Sequence, residues 1–117
     1  MKWFAVKYVY QIVSGEGSHA PQIDEQIRLL ISQNISDAWS KAQALAKKFH
    51  QSFKNIKGEE VRWDFLCISD VKEIDLLEDG CEVNSVIHEP ADYKAFMDDV
   101  NRHKTFLADV VENVPIH

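Results

Sequence analysis

Residues 2–13 (KWFAVKYVYQIV) alternate with a period of two. Phe4, Val6, Tyr8, Tyr10 and Ile12 fall on one face, and Trp3, Ala5, Lys7, Val9 and Gln11 on the other. Aromatic and β-branched residues at that period predict a strand, and apolar character on both faces predicts a central or covered one. The alternation returns over 23–33, where Ile23, Glu25, Ile27, Leu29 and Ile31 oppose Asp24, Gln26, Arg28 and Leu30. The polar, glycine-bearing loop SGEGSHAPQ (14–22) joins the two as a hairpin. From residue 35 the period changes to that of a helix. Ile35, Trp39, Ala42, Ala46, Phe49 and Phe53 form one stripe and predict a helix over 35–54. Ser36 serves as its N-cap, Asp37 suits the first turn, Lys47, Lys48 and Lys54 suit the C-terminal end, and Gly58 stops it. Residues 60–74 read as a third strand that bends near Asp70, with Val61, Trp63, Phe65 and Cys67 on one face. Asp79-Gly80 is a turn signal, and 81–88 (CEVNSVIH) returns as a fourth strand with Cys81, Val83, Ser85 and Ile87 inward. A second helix begins at Pro90 and carries the stripe Tyr93, Phe96, Met97, Val100 and Leu107. The tail 108–117, with Val110, Val111, Val114 and Ile116, is apolar enough to dock.

The order β-β-α-β-β-α predicts one α+β domain over 1–117: a four-stranded, mainly antiparallel sheet with two helices on one face. The opposite sheet face is then left open. Two-fold pairing is the commonest oligomeric arrangement, so the expectation is a homodimer through that face, with another protein as the alternative partner.

Composition narrows the function classes. Hydrophobic residues make up 45% and charged residues 27%, which is a globular balance, and the net charge is −6. Residues 1–58 carry eight Lys/Arg and four Asp/Glu; residues 59–117 carry five and fifteen. Such a chain does not coat phosphate. The basic set Lys41, Lys47, Lys48, Lys54 and Lys57 is the one nucleic-acid cue, but Trp39, Phe49 and Phe53 beside it are assigned to the buried stripe, so no nucleic-acid partner is expected. Lys7 interrupts the apolar start, no small-residue cleavage site follows, and no apolar run reaches membrane-spanning length. The expectation is a cytoplasmic protein with no membrane partner. Cys67 and Cys81 are too few for a disulfide framework and belong to no C-x-x-C pair; they read as free thiols, with Cys67 acting as a small buried hydrophobe.

Candidate chemistry is sparse. Ser14-Gly15-Glu16-Gly17-Ser18-His19 is flexible and polar, but a strand follows it where a phosphate cradle needs a helix. His19, Glu25 and Arg28 are the candidate ligand-binding residues, converging on a cleft at the 14–25 loop. Asp24 and Glu25 are adjacent on a strand, so only one can join His19. The acidic group Glu73, Asp75, Glu78, Asp79 and Glu82 lacks the spacing of a calcium loop. A Cys67–His88 pairing depends on hairpin register, and His50 and His103 fall on polar helix faces. No H-E-x-x-H, G-x-S-x-G or C-x-x-C occurs. No catalytic residue, metal site or cofactor is assigned. The reading is a self-associating binding or interaction module without catalytic activity; the alternative is a small-molecule-binding domain or enzyme with its pocket at the 14–25 loop.

Trp3-Phe4-Ala5-Val6-Lys7, Asp24-Glu25-Gln26-Ile27-Arg28-Leu29-Leu30, Ser36 with Ala38 and Lys41-Ala42, Trp63-x-Phe65, and Asp79-Gly80-x-Glu82-Val83-x-Ser85 together resemble a family of small bacterial proteins known only as a domain of unknown function. The resemblance covers about residues 2–95. It implies a single domain in a bacterial cytoplasm and carries no activity, so no functional residue transfers with it. Asp24, Glu25, Gln26, Asp79, Glu82 and Ser85 match its polar pattern.

Overall fold

The computed structural model describes residues 1–113 and separates the chain into two compact units, Met1–Ser85 and the segment from Val86 onward. The first unit runs β1 (Lys2–Ser14), β2 (Gln22–Ser32), α1 (Ile35–Leu45), β3 (Phe53–Lys54) and β4 (Glu60–Ile74). Its four strands form one antiparallel sheet in the order β2-β1-β4-β3. The central place of β1 follows from apolar residues on both of its faces. Facing pairs put Phe4 opposite Leu30, Tyr8 opposite Gln26 and Tyr10 opposite Asp24. On the other side β4 shifts register between Asp70 and Ile68, at the bend the sequence predicts.

One face of the sheet is the core. Phe4, Val6, Tyr8 and Tyr10 are its largest fully buried side chains, and burial of each contributes roughly 1.5–3 kcal/mol. Helix α1 packs on this face through Ala38, Ala42 and Ala46, all buried. These recur every four residues, so they line one side of the helix, and their small side chains let its backbone approach the sheet closely. The Tyr8 hydroxyl donates to the Ala42 carbonyl at 2.9 Å, and the Tyr10 hydroxyl donates to the Ala46 carbonyl. Two strand residues span ~6.7 Å and four helical residues ~6.0 Å, so two tyrosines on one strand face match two carbonyls on one helix face. The carbonyls of a last helical turn lack amide partners, and the tyrosines supply donors.

This packing corrects the expected stripe and helix length. Ala38 replaces Trp39 and Ile35 in the contact line; Trp39 is 50% exposed and Ile35 57%. The helix stops at Leu45 rather than 54, because Ala46 and Lys48 donate to carbonyls three residues back, at Gln43 and Leu45, and tighten the last turn. Phe53, expected in the helix and buried, lies in β3 and is 51% exposed. The N-cap is Asn34, not Ser36: its side chain accepts from the Asp37 amide at 2.8 Å. The expected strand 81–88 does not form. The Asp79-Gly80 turn is present, with Cys81 donating to Glu78, but the chain beyond it joins no sheet and Val83 and Ile87 are exposed. Phe53–Lys54 takes the fourth place by pairing with Glu60 and Val61. Cys67 is exposed, on the outer face opposite Val9.

The second unit contains α2 (Tyr93–Glu112). It begins three residues after Pro90 because Asp92 caps it, accepting from the Ala95 amide at 3.0 Å. Phe96 and Met97 of the expected stripe are half-buried, while Tyr93, Val100 and Leu107 are exposed. His88 lies against Phe96, ring centroids 5.0 Å apart. Residues 108–112 of the expected tail continue this helix; Val114 and Ile116 lie outside the described residues. No helix among the described residues is long and apolar enough to cross a membrane.

The tyrosine contacts generate a stability prediction. Tyr8→Phe and Tyr10→Phe should each lower the unfolding free energy by about 1–2 kcal/mol in urea titrations, because each strands a buried carbonyl. Burial, and then the neighbouring Tyr10, pushes the Tyr8 hydroxyl up to about 12. The folded state therefore keeps a proton that the unfolded chain loses from about pH 10, so stability should fall as pH rises from 10 toward 12. Tyr8→Phe should flatten that decline.

Candidate functional site

The predicted ligand loop does border a concavity. The 14–22 loop and the turn after β3 enclose a cavity of about 960 Å³ lined in part by Glu16, Ser18, His19, Lys57 and Glu59. Gly15 sits at φ +57°, in the left-handed region that favours glycine, with the flexible end of Glu59 close beside it. His19 is committed to the loop itself: Nε2 accepts from the Ser14 amide at 3.1 Å and Nδ1 donates to the Ala20 carbonyl at 2.8 Å. Both ring nitrogens are thereby used locally.

The structure does not bring His19, Glu25 and Arg28 together. Glu25 is on the outer sheet face, 3.6 Å from Lys7. Arg28 is on the core face, its guanidinium 3.8 Å above the Phe49 ring centroid. Alternation along β2 separates the two.

A second constellation forms around Arg28, on the core-facing side of β2. Gln26 Oε1 accepts from Arg28 Nη2 at 3.0 Å and Nε at 3.3 Å. Gln26 Nε2 donates to Asp24 Oδ2 at 2.8 Å and lies 2.8 Å from His50 Nε2. Asp24 Oδ2 also accepts from Trp63 Nε1 at 3.0 Å. His50 stacks on Trp63 (centroids 5.2 Å apart, planes 10° apart) and meets Tyr10 edge-on at 4.8 Å.

The direction of the Arg28–Gln26–Asp24 bonds is fixed by chemistry. Arg28 can only donate and ionised Asp24 can only accept, so the Gln26 amide has one satisfying orientation. His50 Nε2 lies 2.8 Å from the Gln26 nitrogen and 3.1 Å from its oxygen, so the imidazole meets this amide as acceptor or donor according to its tautomer. Burial first, and then the Arg28 charge, holds the His50 imidazole below its ordinary range, partly opposed by Asp24. Asp24 is lowered, chiefly by the Gln26 hydrogen bond, with Trp63 contributing and burial opposing.

Sequence reading assigned His50 to a polar helix face and missed it. The helix ends five residues earlier, and the turn that follows drops Phe49 and His50 onto Tyr8 and Tyr10. Alternation along β2 did place Asp24, Gln26 and Arg28 on one face, but it could not say that this was the core face. Beside the constellation a cavity of about 390 Å³ opens between Ala46, Lys47, His50 and Ser52 on one side and Arg62, Trp63, Asp64 and Phe65 on the other.

The pattern of exposure along β2 is the reverse of the usual one. Asp24, Gln26 and Arg28 face the core, while Ile23, Ile27 and Leu29 are 54%, 44% and 41% exposed on the outer face. A family model described as a domain of unknown function, DUF4288, matches residues 3–85. The chain belongs to this family. The DUF4288 region coincides with the first structural unit and holds both cavities and the reversed strand. The match is shorter than the 2–95 expected, and α2 lies beyond it. No curated protein and no solved structure matches the chain.

The hydrogen-bond order makes a titration prediction. Followed by NMR, His50 should titrate below 6.5, and Arg28→Met should raise its pKa while Asp24→Asn lowers it further. The folded chain refuses a proton that the unfolded chain accepts. The stability from neutral His50 is therefore complete above pH 6.5 and declines as pH falls below it.

Proposed function

We infer that this DUF4288 protein is a binding module that self-associates through the open face of its sheet and acts by holding partners rather than by turnover. The observation that carries the reading is the outward apolar side of β2, continued by Leu66 of β4, which is 50% exposed, and by half-buried Trp3 and Val9 of β1. A solvated antiparallel face ordinarily carries polar residues. The occupant favoured is a second copy, because the face is self-complementary in charge. Lys7 and Glu25 lie among the apolar residues, and a two-fold axis between them sets each against its opposite on the other copy. Eleven residues' length of three adjacent strands presents roughly 500 Å² of projected face, so a pair covers roughly 1,000 Å², the threshold of a specific interface.

The non-catalytic reading is supported by how the ionisable groups of the core face are used. Asp24, Arg28 and His50 each bond or stack on neighbouring side chains. The free thiols of Cys67 and Cys81 fit a bacterial cytoplasm.

Sedimentation equilibrium of the full chain tests the reading. A dimer is expected at tens of micromolar, and Ile27→Glu, an exposed outer-face change, should shift it to monomer with less than about 1 kcal/mol loss of stability. A wild-type monomer at 100 µM (about the upper limit for a working affinity here) would overturn it, as would a dimer indifferent to the substitution.

A further inference from the structure

We propose that the recess between the C-terminal end of α1 and the start of β4 binds a small planar aromatic anion. Four rings line it: Tyr10, His50, Trp63 and Phe65. They are mutually braced, with Tyr10 tilted against Phe65 at 5.7 Å and His50 parallel to Trp63, so the walls are set before a ligand arrives. The Trp63 indole is further fixed by its bond to Asp24, and His50 by Gln26. Preset ring walls favour a flat, polarisable guest. The volume of about 390 Å³ lies at the small end of ligand sites, which suits one ring system with a short substituent.

Charge selects an anion. The segment 38–58, which supplies Ala46, Lys47, His50 and Ser52 to the lining, contains five lysines and no Asp or Glu. Lys47 lines the cavity and has no ion-pair partner among the described residues. The one carboxylate in the lining, Asp64, is neutralised by Arg62, whose Nε is 3.0 and 3.3 Å from its two oxygens. The ring of the guest would enter among Trp63, Phe65 and His50, with its carboxylate or phosphate at the mouth on Lys47 and the Ser52 hydroxyl. This site is separate from the outer face proposed for self-association, and it does not involve the 14–22 loop.

The test is a titration of the full-length protein, followed by calorimetry and by the NMR signals of the Trp63 indole and the His50 ring. The probes are indole-3-acetate and AMP, with indole-3-acetamide and adenosine as their uncharged counterparts. Saturable binding of either acid, moving both signals and weakened at least fivefold in the uncharged counterpart, supports the proposal. Which acid binds then identifies the anionic group. Lys47→Met, an exposed change that leaves the fold intact, should reduce affinity for the acid about fivefold, the upper end for an exposed charge pair. Silence from both acids at 5 mM, equal binding of acid and uncharged counterpart, or indifference to Lys47→Met would each overturn it.

Discussion

Two hydroxyl-to-carbonyl bonds set the position of α1 on the sheet, and most of the first unit depends on them. Tyr8 and Tyr10 reach the Ala42 and Ala46 carbonyls because the strand and helix repeats nearly coincide over that distance. A hydroxyl reaches a helical carbonyl only if the helix lies close, and the helix lies close only if alanine faces the sheet. This explains the buried line Ala38, Ala42, Ala46 and the outward position of Trp39. It also explains why Phe49 and His50 fold down where they do: the helix has ended, and the tyrosine rings are the surface beneath them.

The same geometry gives β2 its unusual character. A short helix centred over β1 cannot bring apolar side chains over all of β2, so beyond buried Leu30 the inner side of that strand holds a hydrogen-bonded polar ladder. Partly buried polar groups are tolerable when each finds a partner, and Arg28, Gln26, Asp24, His50 and Trp63 satisfy one another. No buried side-chain nitrogen or oxygen among the described residues lacks a partner. The ladder stiffens the aromatic walls beside it, so the fold's accommodation of a short helix creates a structured recess. The outer side of β2, free of that constraint, carries the isoleucines and Leu29.

Legibility in the sequence varied with how local each feature is. Both long hairpin strands, the faces of β1 and β2 and the bend near Asp70 follow from alternation and turn residues, and the structure has them. The helix stripe was misread because Ile35, Trp39, Phe49 and Phe53 keep helical spacing without being the contact line; periodicity identifies a face, and size alone suggested the wrong one. The segment 81–88 has strand composition, yet β4 already has β1 on one side and β3 at its start, and the pairing that a strand needs is not made. Of the candidate site residues, His19 borders a cavity but serves its own loop, and Glu25 and Arg28 are parted by the pleat of β2.

By itself the sequence determined the α+β class, the period of each long element, the two faces of each strand and the charge imbalance between halves. These are properties of neighbours along the chain, where backbone sterics and side-chain spacing act directly. The tertiary structure alone decided which face of β2 is the core, where α1 ends, which residues supply the fourth strand, and that His50 meets Gln26 from 24 residues away and stacks on Trp63. Those outcomes turn on distances between segments remote in sequence, above all the close approach of a helix to two tyrosine hydroxyls. No local pattern encodes that approach.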